Sequence, residues 1–188
     1  GEAAAALPYA PWQAEALQVL GDLKKGAGKN DEAVVALEDA AFKAVASKRD
    51  DLAAVAALGA AEAAAGKGDD PAARHWLGLG AALADRKGDA PLRVRRLEAA
   101  GVVAAARGEF TDAAALHGEA LAEAALVFVP DNVALWKNEQ LLASSFAKAG
   151  AWAAAVPHYE RALALKRTVS GDEHPDIASI FSSLGSCY

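Results

Sequence analysis

Residues 142–162 read Leu142-Ala143-Ser144-Ser145-Phe146-Ala147-Lys148-Ala149-Gly150-Ala151-Trp152-Ala153-Ala154-Ala155-Val156-Pro157-His158-Tyr159-Glu160-Arg161-Ala162, and their spacing decides the fold. Ala143 is a small residue on an apolar stripe. Gly150 follows seven positions later, and Ala155 and Ala162 then form a small-residue pair on one helical face. The same marks recur outward from this stretch. Gly21, Gly59, Gly101 and Gly185 stand in the place of Ala143, so that the five positions lie 38, 42, 42 and 42 residues apart. Gly28, Gly68 and Gly108 match Gly150, and Ala33/Ala40, Ala73/Gly80 and Ala113/Ala120 match the small pair. A fixed period of roughly 20–50 residues marks a solenoid of stacked supersecondary units. Such arrays present an extended surface to a partner.

The period predicts an all-α chain, since every apolar stripe runs at helical spacing and no segment alternates at two. Four helical hairpins are expected at about 12–50, 51–88, 91–129 and 130–170, with a partial fifth at 175–188, as one array. In the first, helix A covers Gln13–Lys25, carries Leu17, Leu20 and Leu23, and stops at Gly26–Gly28. Asn30 and Asp31 are N-cap candidates for helix B, Glu32–Ser47. The second turn, Gly66-Lys67-Gly68-Asp69-Asp70-Pro71, is expected to be two residues longer than the others. Pro11, Pro91, Pro130 and Pro175 fall where an A helix should begin, a place where a missing N–H costs nothing. Pro157 lies inside helix B of the fourth hairpin and predicts a kink or a late start.

Hydrophobic residues make up 54% of the chain but aromatics only 6%, so alanine supplies much of the apolar share. Alanine favours helices and lets them approach closely. A net charge of −6 argues against a nucleic-acid partner. No apolar run reaches the ~18 residues of a membrane span, and no signal-peptide pattern opens the sequence. The single cysteine, Cys187, fits a reducing, cytoplasmic setting. The absence of methionine, and an ending inside the amphipathic stretch Asp176–Tyr188, predict a fragment of a longer chain. Self-association through that last helix, by way of Ile177, Ile180, Phe181 and Leu184, is then expected.

Catalytic chemistry is not legible. A protein kinase needs a glycine-rich phosphate loop, an H-R-D loop and a D-F-G metal site, and none is here. Gly66-Lys67-Gly68-Asp69 lacks the spacing of a phosphate loop and reads as an inter-helix turn. His117 and His158 lie on successive B helices, but no cysteine or carboxylate stands at zinc-ligand spacing, so no metal or cofactor is expected. His174 precedes Pro175 and should shape a helix entry; His75 carries no signal. Arg93, Arg95 and Arg96, near Arg86 and Lys87, form the one basic cluster, either an anion site or a solvated helix face. Trp12, Trp136 and Trp152 are expected to pack in or between repeats.

These residues resemble the tetratricopeptide repeat, whose pattern runs W-x2-L-G-x2-Y, then A-x3-F. The third hairpin carries it in Leu97, Gly101, Gly108, Phe110, Ala113 and Ala120. The fourth does so in Leu142, Phe146, Gly150, Trp152, Ala155, Tyr159 and Ala162, and the partial fifth in Phe181, Leu184, Gly185 and Tyr188. The second is the poorest match, with Glu62 where an aromatic is usual. The 42-residue spacing, with Tyr159–Lys166 leading into Gly171-Asp172-Glu173-His174-Pro175, is similar to the kinesin-light-chain subtype. Alanine-rich repeats of this kind also resemble the C-terminal regions of bacterial, notably myxobacterial, serine/threonine kinases.

The resemblance implies a right-handed α-α superhelix that binds a protein or peptide on a groove lined by A helices. Carried over by register, the groove residues are Gln18, Asp22 and Lys25, then Ala56, Ala60 and Ala63. Arg95, Glu98 and Val102 follow, then Lys137, Gln140, Ser144 and Lys148, and last Ser179, Ser182 and Ser186. Gln18 and Asp22 replace the Lys and Asn of the carboxylate clamp in chaperone-binding repeats. The implied role is the regulatory or recruiting region of a signalling kinase. A ligand-sensing domain of a transcriptional activator and a self-assembling scaffold are the alternatives.

Overall fold

Four glycines turn the chain into hairpins. The computed structural model describes residues 10–127, 135–171 and 174–188. Among these there are nine helices and no strand. They are α1 (Ala10–Gly26), α2 (Asn30–Ala46), α3 (Asp50–Gly66), α4 (Asp70–Lys87), α5 (Ala90–Ala106), α6 (Phe110–Val127), α7 (Leu135–Lys148), α8 (Trp152–Ser170) and α9 (Pro175–Gly185). Gly28, Gly68, Gly108 and Gly150 have φ of 72°, 81°, 81° and 79°, a left-handed conformation that costs a residue with a Cβ roughly 1–2 kcal/mol. The next amide then reaches back over the helix end. Lys29 N–H donates to Lys24 O at 2.9 Å, Asp69 N–H to Ala64 O at 3.0 Å, and Ala151 N–H to Phe146 O at 2.9 Å. Carbonyls that would otherwise be orphaned are satisfied this way.

The structure corrects the register of the second hairpin. Helices α1, α3 and α5 each have 17 residues and begin at Ala10, Asp50 and Ala90. Three residues separate α3 from α4, as they separate α1 from α2, so the expected longer turn is not there. The counterpart of Gly21 is therefore Ala61, not Gly59. Packing explains why Gly59 mimics a repeat position. A Cβ on Gly21 would lie 2.4 Å from Leu37 Cγ, and one on Gly59 would lie 3.2 Å from Leu37 Cδ2. The fully buried Leu37 thus presses on glycines of two neighbouring A helices.

The chain divides into two compact units, one ending at Arg107 and one beginning at Gly108. In the first, each helix packs on its sequence neighbour, and α3 also meets both α1 and α5. Helix α3 is buried along nearly its whole length by alanines around Leu52 and Leu58. Each alanine removes little area from water, so cohesion here comes from many short contacts. In the second unit α6 packs on α7, α7 on α8, and α8 on α9. Its core joins Ala143, Ala155, Tyr159, Ala162 and Leu163 to Ile177, Ile180 and Leu184, with Phe146 against it.

Other local expectations change too. Helix α2 already starts at Asn30, and its cap residue is Lys29, with no side-chain hydrogen bond. Asp31 and Glu32 instead sit in the first turn, where acids favour the helix dipole. Side-chain caps come from Asp69 on Ala72 N–H and Asp89 on Leu92 N–H, both at 3.1 Å. Pro71, Pro91 and Pro175 do occupy first turns. Helix α8 starts at Trp152 and continues through Pro157, so there is no late start. At the sixth residue, Pro157 removes only the bond to Ala153 O, while Ala155, Tyr159 and Ala162 stay buried around it. Pro130, Asp172 and Glu173 lie outside the described residues.

Candidate interaction face

Three helices of the first unit, α1, α3 and α5, place their charges in one network. On α1, Gln18 donates from Nε2 to Asp22, and Lys25 Nζ lies 3.1 Å from Asp22. Lys25 also reaches across to Glu62 of α3 at 2.5 Å. The other oxygen of Glu62 accepts from Arg95 of α5, and Arg95 lies 3.7 Å from Glu98 one turn along. The Glu62 side chain is 8% exposed and that of Arg95 18%. Burial works against the charge on Arg95, yet the Glu62 carboxylate, with Glu98 and Asp22 behind it, outweighs burial and raises the guanidinium's pKa. Three carboxylates and two cations therefore hold one another across α1, α3 and α5.

Five of the predicted groove residues, Gln18, Asp22, Lys25, Arg95 and Glu98, are thus brought together. The alanines assigned to the same face are not on it. Ala56, Ala60 and Ala63 have no exposed surface. The register slip at Gly59 caused this; the 40-residue step places Val55 and Glu62 there instead, with Leu58 buried beneath them. Glu62 was missed as a site residue, although a signal existed: it is the lone charge between Asp51 and Gly66.

In the second unit Lys137, Gln140, Ser144 and Lys148 follow one another along α7. Gln140 and Ser144 are half-buried, and both lysines are exposed. Ser179, Ser182 and Ser186 are exposed along and just past α9. In the core of this unit His117 Nδ1 lies 2.9 Å from Ser145 Oγ, both buried. His158 instead pairs with Glu139 at 2.7 Å and stacks on Phe146, so the two histidines are engaged by different residues of α7. Lys166 sits 4.1 Å above the Trp136 ring and 2.7 Å from Asp176, tying α8 to α7 and α9. His174 accepts from Asp176 N–H and so caps α9.

The arginine cluster separates. Arg95 joins the network, Arg96 pairs with Asp85 at 3.2 Å, and Arg93 donates to Gly88 O at 3.1 Å. Two tryptophans expected to pack are about half exposed, Trp12 at 55% and Trp152 at 47%. The buried one is Trp76, whose Nε1–H donates to Glu38 at 2.8 Å and whose ring meets Phe42 edge-on. Among the described residues no group of three His, Cys, Asp or Glu is placed to hold a metal ion. No described helix is long and apolar enough to cross a membrane.

Residues 141–176 match the tetratricopeptide repeat family. The fold is a tetratricopeptide-repeat fold. The chain is similar to the crystal structure of a candidate kinesin light chain from Podosopora anserina with nearly identical TPR-like repeats. Sequence identity is 18% and the TM-score 0.66, over 97% of this chain and 88% of that one. It is also similar to BtubC (BKLC) from P. vanneervenii, at 19% identity and a TM-score of 0.73, over 95% of this chain and 73% of that one. No curated protein sequence matches. On this tetratricopeptide-repeat fold the A helices are α1, α3, α5, α7 and α9. The charge network of the first unit and Lys137, Gln140, Ser144 and Lys148 of the second lie on them.

Proposed function

We propose that this chain is a non-enzymatic recognition module that binds a protein or peptide on the face of its A helices. The observation that carries the reading is the gathering of Gln18, Asp22, Lys25, Glu62, Arg95 and Glu98 on one face of three neighbouring helices. A buried ionic network is weak evidence for stability, so a recognition role gives it a reason to exist. A bound segment supplying backbone amides and carbonyls, or a charge of its own, would exchange with these pairs. On the second unit the corresponding residues are Lys137, Gln140, Ser144 and Lys148.

A place as the regulatory or recruiting region of a bacterial serine/threonine kinase rests on the sequence resemblance alone, and a cytoplasmic setting on the lone cysteine, Cys187. Ligand sensing in a transcriptional activator competes with that parentage. Self-association is the second reading, favoured by Phe181 of α9, which stays half exposed while Ile177, Ile180 and Leu184 are buried.

The test is selection of binders from a displayed library of random peptides on the full chain. The expected result is peptides whose binding weakens at least tenfold with Lys148→Glu or Glu98→Gln and is unchanged by Asp112→Lys on α6. Peptides indifferent to every A-helix change would overturn the reading. Concentration-independent light scattering would remove self-association.

A further inference from the structure

Aromatic rings of the first unit gather away from the A helices, on α2 and α4. Trp76 of α4 is buried, and its Nε1–H donates to Glu38 Oε1 of α2 at 2.8 Å. Two rings meet it edge-on, Phe42 with its centroid 5.7 Å away and His75 at 5.5 Å. Burial and the hydrogen bond fix the indole, and the indole steadies Phe42. Phe42 is itself 62% exposed. A steadied ring therefore turns most of its surface to water.

Elsewhere in the chain such rings carry a cation. In the second unit Arg167 lies 5.2 Å from the centre of the half-exposed Phe181 ring, and Lys166 lies 4.1 Å from that of Trp136. Among the described residues no cation of the chain sits over Phe42. Glu38 and Asp39 precede Phe42 by four and three residues, which sets both carboxylates beside the ring on the surface of α2. Asp39 is exposed, and among the described residues no hydrogen bond or ion pair engages it. The basic residue that shares this stretch is Lys43, half-buried and in no ion pair with either acid. Lys24 and Lys29 are engaged by Glu32, Lys67 by Asp31 and Arg74 by Asp70. Two acids against one lysine leave the ring in negative surroundings, and ring quadrupole and carboxylates attract a cation together.

We propose that Phe42 and Asp39 bind an arginine side chain of a partner protein, its guanidinium over the exposed ring and hydrogen-bonded to the carboxylate. A guanidinium suits the pair better than an ammonium, because its plane stacks on a ring while its fork meets a carboxylate. The site goes beyond recognition by the A-helix face, since α2 and α4 contribute nothing to the network of Lys25, Glu62 and Arg95.

Fluorescence anisotropy on the full chain tests this. The probes are a labelled arginine/glycine/serine peptide and the same peptide carrying citrulline, which keeps the shape and removes the charge. The arginine peptide is expected to bind roughly tenfold more tightly. Phe42→Leu keeps an apolar side chain but removes the ring, and should weaken binding about fivefold. Asp39→Asn should weaken it about threefold, and Phe42→Tyr should leave it unchanged. Both positions are exposed, so circular dichroism should not move. Equal binding of the citrulline peptide would overturn the proposal, as would indifference to Phe42→Leu. If Glu119→Gln on α6 cost as much as Asp39→Asn, the attraction would be to overall charge and the proposal would fail. A peptide dislodged by Glu98→Gln but not by Phe42→Leu would sit on the A-helix face, so that recognition there would stand while this site fell.

Discussion

The two units build the same hairpin from different side chains. In the unit ending at Arg107, alanines and glycines pack around Leu37 and Leu58, and charges on α1, α3 and α5 pair with one another. In the unit beginning at Gly108, Tyr159 and Phe146 fill the space, and a buried histidine, His117, meets the hydroxyl of Ser145. The family match falls on residues 141–176, within the aromatic unit. The alanine unit keeps the turn geometry, with Gly28 and Gly68 in the left-handed region. Backbone geometry and small-residue contacts specify the hairpin; the aromatic residues are one way of filling it.

That contrast is sharpened first by truncating one anchor in each unit. Tyr159→Ala should cost about 4 kcal/mol, the range for deleting a buried aromatic. Glu62→Ala should cost about 3 kcal/mol, because it leaves Arg95 largely buried with only the more distant Glu98. Chemical denaturation of both variants measures this. A Glu62→Ala protein as stable as the parent would mean that the network holds nothing together.

A smaller effect separates two glycines that share a place in the sequence pattern. Gly21→Ala drives a Cβ into Leu37 and should destabilise by roughly 1–3 kcal/mol. Gly185→Ala meets no atom within 4 Å and should be neutral or slightly stabilising. Equal melting shifts for the two would show that the Leu37 contact does not carry the packing.

The smallest effect is on acid stability. A fork from Arg49, with Nε 3.0 Å from Asp51, holds the Asp51 carboxyl below its ordinary value. A carboxyl whose folded pKa is depressed contributes above its unfolded value, near 3.9, and that contribution is lost as pH falls through the folded one. Asp51→Asn should therefore lower stability at neutral pH by less than ~1 kcal/mol, as befits an exposed pair, and should not matter at pH ~2. A difference that persisted at the acid end would assign the effect to packing.

Much of this was legible in the sequence. Gly28, Gly68, Gly108 and Gly150 gave the turns, because a left-handed residue leaves a glycine behind wherever a hairpin closes. Ala33, Ala40, Ala113 and Ala120 gave the close-packed faces, and all are fully buried. The failure lay at Gly59, a glycine required by a neighbouring helix rather than by its place in the repeat. From it followed the misplaced turn length and the misassigned Ala56, Ala60 and Ala63. Glu62 was visible as a lone charge, but its partners Lys25 and Arg95 are 37 and 33 residues away. Only packing of three A helices brings them together. Trp12 and Trp152 misled because large apolar residues are expected inside; both stand about half exposed, and the indole buried in the alanine core is that of Trp76.

Recognition by the A-helix face is tested most directly by nuclear magnetic resonance on the labelled chain, titrated with a peptide selected from the displayed library. The account predicts that the largest shifts fall on A-helix residues, Gln18, Asp22, Glu62 and Glu98 in one unit or Gln140, Ser144 and Lys148 in the other. Shifts confined to exposed residues of α4, α6 and α8, with those A-helix signals unmoved, would contradict it.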